Sequence, residues 1–223
     1  MRPYYDHAGI TIYHGDCREV QAWRASDLVL ADPPYGIDYR TSSSRSTGKA
    51  QSRDWEPVVG DAEPFDPGHL LDCDRLILFG ANHYADKLPP SSSWIVWDKL
   101  DGLESHREIG FNDSSDCELA WSNIGGPARL VRYRWMGVCR RGVQSERRLH
   151  PTQKPVGMVG QLLAAYSKER DCIGDPYMGS GTTLVAAKQL GRKAIGIEIE
   201  ERYCEIAAKR LSQEMLPFPT EAA

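Results

Sequence analysis

Four residues, Asp32, Pro33, Pro34 and Tyr35, form the first group that could carry chemistry, and they follow an apolar segment, residues 27–31, that we predict to be a strand. The prolines stiffen the backbone and remove two amide donors, so the carbonyls there can only accept hydrogen bonds. The Asp32 carboxylate and the Pro33 carbonyl would then be two neighbouring acceptors. They suit a group with two N–H donors, such as the exocyclic amine of adenine or cytosine, and would stabilise the positive charge that develops as it attacks. Tyr35 offers a flat face for stacking a base, although a proline-rich turn without chemistry is an open alternative for the motif alone.

A glycine-rich turn begins with Asp175 and continues through Gly179 and Gly181 into a predicted helix. Glycines at these positions allow a tight turn and a close approach of the backbone to a ligand. Glu198 ends the next predicted strand, where an acid typically accepts hydrogen bonds from ribose hydroxyls. Asp175 would repel a pyrophosphate, so a cationic nucleoside without phosphate, S-adenosylmethionine, fits better. The alternative is a glycine-rich turn that binds no ligand.

A third motif, His150-Pro151-Thr152-Gln153-Lys154-Pro155, precedes a predicted helix. Lys154 could meet a carboxylate, and Pro155 would start the helix. Taken alone this signal is weak, because a lysine before a helix is usually solvated.

The three motifs together resemble those of the β-group amino-methyltransferases of DNA, in which D-P-P-Y precedes H-P-T-x-K-P and D-P-F-x-G-S-G-T-T. Tyr177 stands where that family usually has phenylalanine, and the resemblance extends from His14-Gly15-Asp16 to the last helix. It implies an α/β fold: a Rossmann-like, seven-stranded methyltransferase sheet with helices on both faces, circularly permuted so that the catalytic half comes first. It also implies direct methyl transfer from S-adenosylmethionine to a base flipped out of double-stranded DNA.

The resemblance assigns a role to each matched residue. The catalytic residues are Asp32, Pro33, Pro34 and Tyr35. The implied cofactor-binding residues are Asp16, Cys17, Asp32, Thr152, Lys154, Asp175, Tyr177, Met178, Gly179, Ser180, Gly181, Thr182 and Glu198. Within this set Glu198 resembles the ribose acid, Asp16 the residue that reads the cofactor's adenine amine, and Lys154 a residue near its carboxylate.

In the family that the chain resembles, aspartate at the first catalytic position tends to go with adenine and serine with cytosine, so the resemblance favours adenine N6 as the target, with cytosine N4 as the alternative. Methylation at carbon 5 of cytosine needs a cysteine nucleophile, in that family placed after proline, and no cysteine here follows a proline. A catalytically silent nucleic-acid-binding protein of the same fold is the alternative from another class. The intact Asp32, Gly179 and Gly181 argue against it.

A basic segment, residues 127–149, contrasts with a chain whose net charge is −4. A locally basic face on an acidic protein is what transient binding of a polyanion needs, so we predict contact with double-stranded DNA here. A solvated loop is the alternative, and the segment is too small for a separate recognition module. The candidate DNA-binding residues are Arg129, Arg132, Arg134, Arg140, Arg141, Arg147 and Arg148.

These motifs need a parallel sheet to position them, and short β-rich runs do alternate with helical patterns. Strands are predicted at residues 10–14, 27–31, 75–79, 94–97, 118–121, 130–135, 172–174 and 193–199. The fifth and sixth of these are predicted to pair as a hairpin. Helices are predicted at residues 17–23, 67–73, 156–167, 182–190 and 201–215.

Residues 1–223 are predicted to form a single domain. Residues 36–64 are too long for an ordinary connection and are either disordered or a functional loop, and residues 217–223 are a frayed tail. The six cysteines lack the spacing of a metal site or redox pair, which predicts no metal and a reducing compartment. Without an apolar run of membrane length or a signal peptide, we expect a cytoplasmic protein. The resemblance also implies a homodimer, and it leaves open whether the protein has a restriction endonuclease partner.

Overall fold

The structure is a computed structural model that describes residues 1–39, 56–101, 115–136, 139–140 and 149–213. Most of the predicted 36–64 loop and all of the predicted 217–223 tail lie outside the described residues. The strands are β1 (Tyr5–His7), β2 (Ile10–His14), β3 (Leu28–Ala31), β4 (Leu76–Phe79), β5 (Trp94–Asp98), β6 (Cys117–Ser122), β7 (Arg129–Arg132), β8 (Trp135–Met136), β9 (Cys139–Arg140), β10 (Cys172–Asp175) and β11 (Lys193–Glu198). The α-helices are α1 (Val156–Tyr166), α2 (Thr182–Gln189) and α3 (Glu201–Ser212).

A mixed sheet forms the centre of the fold, with its strands in the order β1-β2-β11-β10-β3-β4-β6-β5-β7. The run from β2 to β4 is parallel, and β6 is antiparallel to both of its neighbours. The sheet therefore has nine strands rather than the seven expected, because β1 and β7 extend it at its two edges. Circular permutation stays a prediction.

The predicted hairpin between β6 and β7 is wrong. Both edges of β6 are already paired, one with β4 and the other with β5, so no edge remains for β7. β7 crosses over instead and pairs in parallel with the far edge of β5. The crossover passes through Gly125 and Gly126, whose positive φ angles suit glycine.

The two faces of the sheet are covered differently. All three α-helices contribute buried side chains to one hydrophobic cluster, together with Leu28 and Leu30 of β3. Val29 and Ala31 belong to a second hydrophobic cluster, on the opposite face of the sheet. The helical residues of that cluster come from short 3₁₀ turns and include Trp23 and Leu70. Among the described residues, the expectation of helices on both faces therefore holds only if 3₁₀ turns are counted.

The helix predicted at residues 17–23 is wrong for a local reason. A single turn closes at the start of this segment, where the N–H of Val20 donates to the carbonyl of Asp16 at 2.9 Å, and the chain does not continue it as a helix. The indole of Trp23 instead folds back and donates to the carbonyl of Cys17 at 2.9 Å, and the helical element that follows is a 3₁₀ turn, Ala22–Ala25. The helix predicted at residues 67–73 is likewise a 3₁₀ turn, Gly68–Leu70.

Three neighbouring parallel strands, β3, β10 and β11, position the functional residues. Asp32 directly follows β3, Asp175 ends β10 and Glu198 ends β11. Because the carboxyl ends of parallel strands meet at one edge of a sheet, these three acids lie along the same edge, where α/β sheets bind their ligands. No helix in the described part of the chain is both long and apolar enough to cross a bilayer.

Candidate active site

An open pocket with an empty volume of about 430 Å³ lies at this edge of the sheet. It brings together nine of the predicted site residues: Asp32, Thr152, Lys154, Asp175, Tyr177, Met178, Gly179, Ser180 and Thr182. His150 and Gln153, from the third motif, line it as well. Segments far apart in sequence thus meet at one place, as the three motifs predict.

Asp32 lies at the centre of a hydrogen-bonded group in this pocket. Its Oδ1 atom accepts a hydrogen bond from the Tyr35 hydroxyl at 2.5 Å and lies 2.5 Å from Nζ of Lys154. Nζ of Lys154 also donates to the Tyr35 hydroxyl at 3.1 Å. Lys154, expected near the cofactor's carboxylate, therefore lies in an ion pair with the predicted catalytic carboxylate.

Lys154 has a second acidic neighbour that the sequence did not single out. Oε2 of Glu118 lies 3.3 Å from Nζ of Lys154, while Oε1 of Glu118 lies 2.7 Å from Nζ of Lys99. Two lysines and two carboxylates thus alternate across the site. Burial raises the pKa of Asp32, and Lys154 opposes part of that shift. Burial alone would lower the pKa of Lys154, but the two carboxylates raise it, so the lysine stays charged.

The ring of Tyr35 is held from two directions. It stacks on the ring of His83, with centroids 5.3 Å apart and planes 14° apart. It also lies against Gly80, where an added Cβ would come within 2.1 Å of the ring. Burial raises the pKa of the Tyr35 hydroxyl well above its usual value, so it remains a donor. The ring expected to stack a base is thus fixed in place by residues that follow β4, and His83 covers one of its faces.

The glycine-rich turn is tied to the strand-end acid. Oε2 of Glu198 accepts from the backbone N–H of Gly179 at 2.9 Å, and Oε1 accepts from the N–H of Glu200 at 2.8 Å. Gly181 has a φ of +79°, and an added Cβ would lie 2.7 Å from Cβ of Ala207. Burial raises the pKa of Glu198 to about 7, and burial likewise raises that of Asp175 to about 7.

Comparison with known proteins identifies the family. A sequence profile described as DNA methylase matches residues 121–209. The type II methyltransferase M2.LlaDCHI of Lactococcus lactis subsp. cremoris is 47% identical, over 95% of this chain and 93% of that protein. The chain belongs to the DNA methylase family.

Two solved structures share the fold of this DNA methylase. The complex of M1.HpyAVI with SAM has a TM-score of 0.54 and 22% identity, covering 92% of this chain and all of that one. The PvuII DNA methyltransferase, which is cytosine-N4-specific, has a TM-score of 0.58 and 13% identity, covering 96% of this chain and 90% of that one. At these identities the likeness supports the fold alone.

The remaining predicted cofactor residues of the DNA methylase lie beside the pocket. Asp16 is held by its neighbour Arg18, whose Nη2 lies 2.5 Å from Oδ2 of Asp16. Nε2 of His69 lies 4.0 Å from Sγ of Cys17 and 2.7 Å from the hydroxyl of Tyr177. The hydroxyl of Tyr177, which the family's usual phenylalanine does not have, therefore has His69 as its hydrogen-bond partner. His69 carried no signal in the sequence, because its proximity depends on a contact across the fold.

Of the predicted DNA-binding arginines, those that the structure describes do not line the pocket. Arg129 and Arg132 are exposed on β7, the edge strand, and Nε of Arg132 lies 3.6 Å from a carboxylate oxygen of Asp98. Arg134 is half-buried. The side chain of Arg140 lies outside the described residues, as do Arg141, Arg147 and Arg148. The role of the basic segment stays a prediction.

Proposed function

We propose that this DNA methylase transfers a methyl group from S-adenosylmethionine to N6 of adenine in double-stranded DNA. The observation that carries the proposal is the position of Asp32, beside the pocket that the glycine-rich turn borders. Donors already occupy its Oδ1, which shows that the atom is an effective hydrogen-bond acceptor. An amine with two N–H groups is the substrate that such an acceptor suits.

The pocket's chemistry fits the proposed cofactor. Asp175 lines the pocket and Glu198 binds its glycine-rich turn, so the surroundings favour a cation and disfavour phosphates. Gly179 has a φ of +50°, which favours glycine, and an added Cβ there would only make an ordinary van der Waals contact with the ring of His150, 3.6 Å away. Glu198 would hold the ribose hydroxyls, and the turn from Gly179 to Gly181 would lie against the methionine part. When bound, S-adenosylmethionine supplies an electrophilic methyl group.

The chain's own residues would act by placement. Asp32 and the Pro33 carbonyl accept the two N–H groups of the target amine and stabilise its developing positive charge. Tyr35, fixed by Gly80 and His83, orients the base, which must leave the DNA stack to reach this site. Holding the amine in line for attack accounts by itself for much of the rate enhancement. Transfer is direct, without a covalent enzyme intermediate.

Adenine is favoured over cytosine because Asp32 occupies the first position of the catalytic motif. The fold cannot decide between them, since the cytosine-N4-specific PvuII enzyme shares it. The test is to incubate the protein with DNA and radiolabelled S-adenosylmethionine and to analyse the nucleosides. We expect label in N6-methyl-2′-deoxyadenosine. Label in N4-methyl-2′-deoxycytidine would replace the proposal with the alternative, and no label with folded protein would favour a silent DNA-binding role.

Replacing Glu198 with glutamine should weaken cofactor binding about tenfold or more, as expected for a hydrogen bond to a charged group. Because burial raises the pKa of Glu198 to about 7, its carboxylate forms only near neutral pH. Wild-type affinity should therefore strengthen from about pH 6 to about pH 8, and the variant should lose part of this dependence. Part should remain, since Asp175 titrates in the same range.

Isothermal titration calorimetry at several pH values measures the effect of Glu198→Gln. The matched control is Glu201→Gln, an exposed glutamate in the first turn of α3 that should bind the cofactor normally. Equal affinity and equal pH dependence in the Glu198 variant would show that this carboxylate does not hold the cofactor.

Replacing Arg129 and Arg132 together with alanine should weaken DNA binding on all sequences alike. Each lost phosphate contact should reduce the slope of log affinity against log salt concentration by about 1. Binding titrations at several salt concentrations measure this, with the exposed pair Lys193→Ala and Lys209→Ala as control. An unchanged slope would mean that Arg129 and Arg132 of β7 are solvated and make no contact with DNA. A changed preference at one base position would mean that an arginine reads a guanine edge.

DNA as the partner follows from the family, and we propose that it is double-stranded. A homodimer and a cytoplasmic location stay predictions.

A further inference from the structure

Asp32 is already occupied before any substrate binds. Its Oδ1 atom accepts from Tyr35 and pairs with Lys154, each at 2.5 Å. The target amine needs an acceptor on this same carboxylate. The amine can use the other oxygen, Oδ2, because a carboxylate has two acceptor oxygens. The ammonium of Lys154 on Oδ1 would then lie close to the positive charge that develops on the amine, so a shift of Lys154 away from Asp32 favours methyl transfer.

Of the two partners of Asp32, Lys154 is the one that has a second carboxylate nearby. Its side chain is 6% exposed and lies between two carboxylates, at 2.5 Å from Asp32 and 3.3 Å from Glu118. Nζ also lies 4.6 Å from the ring centroid of Phe79, which limits movement in that direction. The direction in which Nζ can move a short distance is therefore toward Glu118.

Glu118 is arranged to receive a cation. Its Oε1 atom is anchored by Lys99 at 2.7 Å, which fixes the carboxylate. Its Oε2 atom is buried, and its contact with Nζ of Lys154 is long, at 3.3 Å against 2.5 Å for the contact between Nζ and Asp32. A buried carboxylate oxygen normally has a hydrogen-bond partner. A shift of Nζ by about 0.5 Å toward Oε2 would bring this contact to the usual length of a charged hydrogen bond and would lengthen the contact with Asp32 to at most about 3.0 Å, so the ammonium charge would move from Asp32 toward Glu118 without leaving either carboxylate.

We propose that Glu118 receives Lys154 when the target amine reaches Asp32, and that it is therefore a positioning residue for methyl transfer. The inference rests on the proposed function, because it requires Asp32 to accept the amine. Moving the lysine's charge from Asp32 toward Glu118 increases the negative potential at Asp32 while the amine becomes positive. Lys154 remains buried and paired throughout, so no charge is left without a partner.

The test replaces Glu118 with glutamine, which keeps the shape and removes the charge. Lys154 then has no anion to move to and stays on Asp32. We expect kcat for methyl transfer to fall about 10- to 100-fold, the range for losing a charged hydrogen-bond partner. KM for DNA and the affinity for S-adenosylmethionine should not change, because neither ligand contacts Glu118 in this scheme.

The pH profile separates this role from a structural one. The negative charge of Glu118 raises the pKa of Asp32, so its loss should lower that pKa and move the acid limb of kcat to lower pH. Tyr35, Lys154 and Asp175, which also interact electrostatically with Asp32, are unchanged in the variant. A purely structural role would lower the melting temperature and leave the acid limb in place.

Two further variants complete the experiment. Glu118→Asp keeps the charge but retracts the carboxylate, so kcat should lie between the wild type and the glutamine variant, with the acid limb near its wild-type position. It also provides the measurement if the glutamine variant does not fold. Glu205→Gln, which removes a surface glutamate paired with Lys209, is the matched control and should behave as wild type.

The outcomes distinguish the inference from the proposed function. If wild-type protein transfers no methyl group to DNA, the proposed function fails. If the wild type is active and Glu118→Gln keeps its kcat and acid limb, only the inference is overturned. It is also overturned if the variant loses cofactor affinity in parallel with kcat, because Glu118 would then support the pocket rather than receive the lysine.

Discussion

Replacing Asp32 with alanine should lower kcat for methyl transfer by about 100- to 1000-fold, the usual cost of removing one group that stabilises charge in the transition state. The carboxylate accepts from the target amine, whose positive charge grows only as the methyl group is transferred. The lost interaction therefore belongs to the transition state, and kcat rather than KM should fall. Cofactor binding should persist, because Glu198 and the glycine-rich turn are unchanged.

The alanine substitution also leaves Lys154 with only Glu118 as an acidic partner. Removing one member of a buried ion pair destabilises proteins by about 3 to 5 kcal/mol. Thermal melting of the variant is therefore needed before its activity is interpreted. Asp32→Asn, which keeps the shape and one acceptor oxygen, should fold better and have an intermediate rate.

Single-turnover transfer of a radiolabelled methyl group to DNA measures the effect, with calorimetry for the cofactor. Asp72→Ala, at an exposed position away from the pocket, is the control and should have wild-type activity. Because burial raises the pKa of Asp32 and the carboxylate is the active form, wild-type activity should be lost as pH falls through that raised value. Near-normal turnover in a folded alanine variant would show that the amine is held elsewhere.

The sequence predicted best what depends on local patterns. The strand at Ile10–His14 has its predicted ends, and β3, β4, β10 and β11 each agree within one residue. Of these strands, β3 and β4 are short apolar runs that are buried on both faces, as their composition predicts for central parallel strands. Since motifs at the ends of parallel strands must share an edge, the meeting of Asp32 and Asp175 followed from the same reasoning.

Pairing between distant strands could not be predicted in this way. The hairpin of β6 and β7 was the simplest guess, because consecutive strands often pair. It failed because β5, earlier in the chain, occupies the edge that β7 would need. The same pairing places Trp97 opposite Glu118, so neither Glu118 nor Lys99 could be connected with Lys154 without that register.

Lys154 shows how a residue can be selected correctly and its contacts missed. The motif marked it as a residue that could meet a carboxylate, and the resemblance put that carboxylate on the cofactor. In the structure the carboxylates are the chain's own, Asp32 and Glu118. Spacing in the sequence carries no information on which acid a buried lysine will face, because that depends on three strands and the segment before α1.

Replacing Gly80 with alanine should reduce methyl transfer by about 100-fold, because displacing a reacting group by about 1 Å can cost that much. The added Cβ would lie 2.1 Å from Cε1 and 2.4 Å from Cζ of Tyr35, so the ring must move. Its hydroxyl would then leave Asp32, and its face would leave His83. Overpacking of this kind should also lower the free energy of unfolding by about 1 to 3 kcal/mol.

Part of the loss in the free energy of unfolding comes from backbone strain rather than from the contact with Tyr35, since Gly80 has a φ of +67°. Gly191 has a φ of +69°, and an added Cβ there meets nothing within 4 Å, so Gly191→Ala carries the backbone cost alone. Its activity should be normal and its destabilisation smaller. Removing the ring as well, in Gly80→Ala with Tyr35→Ala, should recover stability but not activity. A non-additive stability in this double-mutant cycle locates the clash at Tyr35. If Gly80→Ala and Gly191→Ala instead have the same stability and the same turnover, the position of Tyr35 against Gly80 does not matter for catalysis.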